Sequence, residues 1–158
     1  MILPLAGLRV AKYLEYKDRK LWRFTTESPC LIPFASIGTR LALKDIDVIA
    51  HPFFSITRNG VQVEAEYSWD GATGALRQSK NLIVASLVHD IGCQAINAGV
   101  LPRSLRPVFD YEYRQQALKY GMSPLRAELH YAAISLWGKI PKREGIPNYT
   151  KVELIEIL

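Results

Sequence analysis

The chain has 158 residues, enough for one domain that buries a core without disulfide or metal staples. Hydrophobic residues make up 49% and charged residues 22%, the balance of a soluble globular protein, and the formal charge of +5 suits contact with nucleic acid, an anionic membrane surface or an acidic partner without distinguishing them. Arg19, Lys20, Arg23, Arg103, Arg106, Lys139, Lys142 and Arg143 are spread along the chain, which argues for a solvated surface and against a nucleic-acid arm.

Cys30 and Cys93 are too few for a disulfide framework and lack CxxC spacing. A single bridge between them remains open, although two buried free thiols agree better with cysteine's place in protein cores. The opening stretch, MILPLAGLRVAKYLEYKDRK, lacks the basic start and long apolar centre of a secretory leader. The apolar stretch Leu82 to Val88 is too short to span a bilayer. No signal peptide and no transmembrane segment are therefore expected, and the chain reads as made in the cytoplasm.

In chain order, the first part is strand-like. Leu8, Val10 and Lys12 begin an alternating run, and Lys17-Asp18-Arg19-Lys20 reads as a turn into Leu21–Thr26. Pro29 and Pro33 bracket a segment that cannot be a central strand. Phe53–Thr57 and Val61–Tyr67 flank Asn59-Gly60, a dipeptide suited to a tight hairpin turn, and Val61, Val63 and Ala65 alternate with polar neighbours. Trp69–Ser79 is a loop with two glycines and no periodicity. The period then turns helical.

A first helix is predicted over about 80–98, stopped by Gly99, with an apolar stripe of Leu82, Ala85, Ser86, His89, Cys93 and Ile96. A second is predicted over about 107–121, opened by Pro107 and closed by Gly121, and a third over about 123–137, opened by Ser123-Pro124. The tail, 139–158, carries Pro141 and Pro147 and ends on Val152, Leu154, Ile155 and Leu158, which predicts docking on the body or on a partner. The expected architecture is one α+β domain over 1–158: a small antiparallel β region at about 8–67, then three α-helices.

His89 and Asp90 form an ionisable pair inside the apolar helix LIVASLVHDIGC, so they need partners or a solvent cleft. Asp70 lies in the glycine-bearing loop before that helix, and Asp110 in the expected first turn of the next, antiparallel helix. A histidine held by a carboxylate on one ring nitrogen offers the other as a general base. A neighbouring carboxylate with loop carbonyls makes an oxygen site for a hard cation such as calcium, which would polarise an ester carbonyl. This assigns His89 and Asp110 to catalysis, and Asp90, Asp70, Gly71 and Gly74 to the metal. The bland alternatives are a hydrogen-bonded boundary histidine, an aspartate on a helix dipole and a common Asp-Gly turn.

The motifs Tyr67-Ser-Trp-Asp-Gly-Ala-Thr-Gly, Lys80-Asn81, Ala85-Ser-Leu-Val-His-Asp90, Asp110 and Gly121-Met-Ser resemble a family of small uncharacterised phage and prophage proteins over about residues 60–138. The resemblance implies a phage origin, with host cytoplasm or virion as the location and other phage structural proteins as partners; it supplies no activity. A more distant likeness is to calcium-dependent secretory phospholipases, which also order a calcium loop, a His-Asp helix and a later Asp. That likeness implies a lipid or other ester substrate, His89 as base, Asp90 on calcium, Asp110 orienting the histidine, and the loop role at Asp70 to Gly74. The chain lacks that family's disulfides and has Cys93 where its helix usually has tyrosine.

Three functions compete. One is a metal-assisted ester hydrolase. The second is a non-catalytic phage virion or accessory protein whose His/Asp cluster is a structural lock. The third, a nucleic-acid or host-protein binder, rests on basic balance and on Tyr13, Tyr16, Trp22 and Phe24 among Lys and Arg, which half-buried strand aromatics explain more simply.

Overall fold

The computed structural model describes residues 8–13, 23–26, 28–47, 49–65, 67–69, 71, 79–137 and 152–157. Strands β1 (Leu8–Tyr13), β2 (Arg23–Thr26) and β3 (Cys30–Pro33) come first, then a short helix α1 (Ile37–Ala42). Strands β4 (Ile49–His51), β5 (Phe54–Thr57), β6 (Gly60–Val63) and β7 (Ser68–Trp69) follow. Helices α2 (Ile83–Asn97), α3 (Arg106–Lys119) and α4 (Pro124–Trp137) come next, and β8 (Val152–Ile157) closes the order. Single 3-10 turns, Lys80–Leu82 and Arg103–Leu105, lead into α2 and α3. The architecture is α+β, with two four-stranded antiparallel sheets ordered β7-β2-β1-β8 and β3-β6-β5-β4.

The two sheets follow from local chemistry. Cys30 and Ile32 point into the core while Pro33 stays exposed at the end of β3. That strand lies at its sheet's edge, where a residue without an N–H is tolerated. In the first sheet β8 pairs along the whole of β1, from Leu8 opposite Ile157 to Tyr13 opposite Val152. The expected turn at 17–20 lies outside the described residues.

The β5–β6 hairpin forms, but its turn is not Asn59-Gly60. Thr57 pairs with Gly60, so Arg58 and Asn59 are the turn residues. The Thr57 hydroxyl accepts from Asn59 N at 3.2 Å and donates to the Gly60 carbonyl at 3.2 Å, which closes the turn one residue early. Gly60 opens β6 for a different reason. A Cβ there would lie 2.3 Å from the Ile32 carbonyl oxygen, so only glycine lets β3 pack alongside.

Helix α2 also departs from expectation. Instead of one apolar stripe it is buried almost all round, and only Asp90, Gln94 and Asn97 reach solvent. Such a helix is the centre of a core, not its lid. Its residues share one core cluster with aromatic and β-branched residues of the strands, including Phe24, Phe54, Val61 and Trp69. Leu82 and Ala85, at its N-terminal end, join Tyr113, Ala117, Met122, Ala127 and Ile134 in a second apolar cluster with α3 and α4.

Helices α2 and α3 end the same way. Gly99 (φ 76°) and Gly121 (φ 88°) take the left-handed conformation that lets the chain fold back. Val100 N then donates to Ala95 O at 3.1 Å, and Met122 N to Ala117 O at 3.0 Å.

Candidate functional site: a buried His-Asp-Arg cluster

Helix–helix spacing builds the site. Gly92 of α2 presents no side chain where the Phe109 ring of α3 sits; a Cβ would fall 2.3 Å from that ring. The close crossing carries Asp110, next to Phe109, against His89, one turn before Gly92. Asp110 is not in the first turn of its helix, because α3 starts at Arg106 after a 3-10 turn. A helix-dipole role is therefore replaced by direct pairing.

Asp110 Oδ1 receives His89 Nε2 at 2.6 Å and Arg106 Nε at 2.8 Å. The histidine and the carboxylate are 6% and 4% exposed, so neither charge has much water to fall back on. Around the rest of the imidazole, Asp90 Oδ1 lies 3.8 Å from Nδ1, and Cys93 Sγ lies 3.8 Å from both ring nitrogens. Asp90 keeps 25% of its side chain in solvent.

The electrostatics follow from these partners. Burial alone would neutralise His89, but hydrogen bonding to Asp110, with help from Asp90 and Cys93, outweighs it and holds the ring well above the usual histidine range. Burial would likewise raise Asp110, yet His89 and Arg106 pull its carboxyl below the ordinary range. Arg106 is held charged by the same carboxylate against its own partial burial. The cluster is thus two cations on one carboxylate oxygen, with a partly buried second carboxylate beside it.

A second histidine lies across Tyr113. The Tyr113 ring meets His89 edge-on at 5.7 Å and stacks on His130 at 6.4 Å. Burial, then the charge of Arg126, lowers His130, while burial and Asp90 push the Tyr113 hydroxyl up. Tyr113 Oη and His130 Nδ1 lie 3.3 Å apart, within hydrogen-bond reach, with the direction set by the histidine tautomer.

Elsewhere on α3, Glu112 is fully buried and bonded throughout. Oε1 accepts from Ala35 N at 2.5 Å and Gln116 Nε2 at 2.8 Å; Oε2 accepts from Ser36 N at 3.1 Å and Thr39 Oγ1 at 2.7 Å. Gln116 also donates to the Pro33 carbonyl at 2.9 Å, and its Oε1 is buried without a partner among the described residues. Trp69 Nε1 donates to Ser86 Oγ at 3.0 Å, tying β7 to α2 one turn before His89.

Of the residues expected to act together, the structure joins His89, Asp90 and Asp110. Asp70 and Gly74 lie outside the described residues. Gly71 is buried with φ 74°. No group of three or more His, Cys, Asp or Glu suited to a metal ion occurs among the described residues. Sequence reasoning missed Arg106, although its i,i+4 spacing to Asp110 is a readable signal. It also missed Glu112, Tyr113 and His130, for which helix periodicity gave no separate sign.

No described helix is long and apolar enough to cross a membrane. Comparison with family models, with curated proteins and with solved structures finds no match to this chain.

Proposed function

We propose that this chain is a non-catalytic phage virion or accessory protein in which His89, Asp110 and Arg106 lock α2 to α3. One observation carries the reading: a single oxygen of Asp110 serves two cationic donors, and the Nδ1 side of the His89 ring faces a second carboxylate, Asp90. A general base needs a free lone pair and a neutral ring at working pH. An imidazole held charged between two carboxylates is better suited to fastening helices. The resemblance over about residues 60–138 supports the phage setting, with other phage structural proteins as partners and host cytoplasm or virion as the location.

A double-mutant cycle on His89→Gln and Asp110→Asn tests the lock. The coupling should be about 1.5–3 kcal/mol, the range for hydrogen bonds to charged groups. Ester hydrolysis by the wild type that His89→Gln abolishes would overturn the proposal.

The second reading is calcium-assisted hydrolysis of a lipid or other ester, with His89 as base, Asp110 orienting it, and Asp90, Asp70, Gly71 and Gly74 as the oxygen site. Asp90, a quarter exposed beside a 2.6 Å His–Asp contact, favours it. Calcium calorimetry would support it through a saturable heat that Asp90→Asn removes; flat traces from both proteins would dispose of it.

A further inference from the structure

Helix α4 has two apolar faces, and among the described residues the fold buries one. Ala127, His130 and Ile134 are buried on the side toward α3. Leu125, Leu129 and Leu136 are 73%, 59% and 66% exposed, and Ala132 is exposed between them. At about 100° per residue, these four positions fall within roughly 60° of one another, on the side of the helix opposite the buried one. Their spacing of four, three and four residues is that of a coiled-coil seam, not the scatter of single apolar residues normal on a surface.

We propose that this outward face of α4 docks antiparallel on the same face of a second copy of the chain. The stripe is complementary to itself in that direction. A two-fold axis between residues 130 and 131 sets Leu125 against the partner's Leu136, and Leu129 against the partner's Ala132. Large meets small at the centre and leucine meets leucine at both ends, as a closed isologous contact requires. A parallel pair would instead oppose Ala132 to its own copy and leave a gap beside Leu129.

The rim does not oppose this. Arg126 and Glu128 flank the stripe on opposite sides, and Glu128 is already neutralised by Arg114 at 2.6 Å. The exposed face of a 14-residue helix is a small interface, so the dimer belongs to the weak, concentration-dependent class.

Sedimentation equilibrium of the full chain from micromolar to millimolar concentration tests the proposal. The mass should rise toward that of a dimer, and Leu129→Glu should weaken association at least tenfold while leaving the thermal melt unchanged, because the position is exposed in the monomer. Ala132→Leu separates the two directions: it should weaken an antiparallel pair and strengthen a parallel one. Mixing Leu125→Cys with Leu136→Cys chains under oxidation should cross-link unlike chains in preference to like ones. A monomer at every concentration, a dimer indifferent to Leu129→Glu, or tighter association of Ala132→Leu would each overturn the proposal.

Discussion

Helix α3 carries two buried carboxylates two residues apart, and the protein satisfies them in opposite ways. Asp110 and Glu112 point about 200° apart around the helix axis. Asp110 faces α2 and is held by the cations His89 and Arg106. Glu112 faces the entry to α1 and is held by two backbone N–H groups, a hydroxyl and an amide, with no cation in contact among the described residues. The first arrangement answers to protonation of its partners; the second is a set of dipoles converging on one charge. The lesson is that one helix can be clamped on two sides by carboxylates, with only one clamp containing a histidine and an arginine.

The largest effect is expected at Glu112. Glu112→Ala would remove the acceptor of four donors, three of those hydrogen bonds being buried, and urea unfolding should register a loss of about 3–5 kcal/mol. A loss below about 1 kcal/mol would break the comparison, since the dipoles would then be contributing almost nothing.

Asp110→Asn comes next, at about 2–4 kcal/mol by the same measurement, because two cationic donors lose their countercharge. Dependence on pH sharpens the contrast. His89 is raised from 6.5, so its contribution is complete below that pH and fades as pH climbs through the elevated folded-state value. Asp110 is lowered from 3.8, so its contribution is complete above that pH and fades as pH falls through the depressed value. The lock is therefore at full strength between about pH 3.8 and 6.5. His130 has the opposite sign to His89: its pKa is lowered, so its stabilising effect is present above 6.5 and is lost as pH falls through the folded-state value. The stability difference between wild type and His89→Gln, followed against pH, should shrink on the alkaline side.

Gly92→Ala should cost about 1–3 kcal/mol by overpacking against Phe109. It should also loosen the His89–Asp110 contact, visible as a fall in the His89 pKa. The smallest effect is expected for Arg114→Ala, about 0–1 kcal/mol, since its partner Glu128 is largely exposed.

Much of this arrangement was legible in the residues. The helices predicted over 80–98, 107–121 and 123–137 match α2 with its leading 3-10 turn, α3 without its own, and α4 to within about two residues, because glycine stops and proline starts are local signals. The order His89, Asp90, Asp110 was legible for the same reason. The turn at Arg58-Asn59 was not, because Gly60 answers to the approach of β3, a contact distant in sequence. Burial around all of α2 was hidden because periodicity alone does not reveal that a helix is covered from both sides. Glu112 was hidden because a glutamate in a polar helix reads as solvated until its four donors are in place.

The most direct test of the lock is the protonation state of His89, followed by ring nitrogen NMR against pH in the wild type and in Asp110→Asn. The account predicts an imidazolium with both ring nitrogens protonated at neutral pH, and a fall in its pKa when Asp110 loses its charge. A neutral His89 ring in the wild type at pH 7, with one nitrogen unprotonated, would contradict the lock and return the histidine to the role of base.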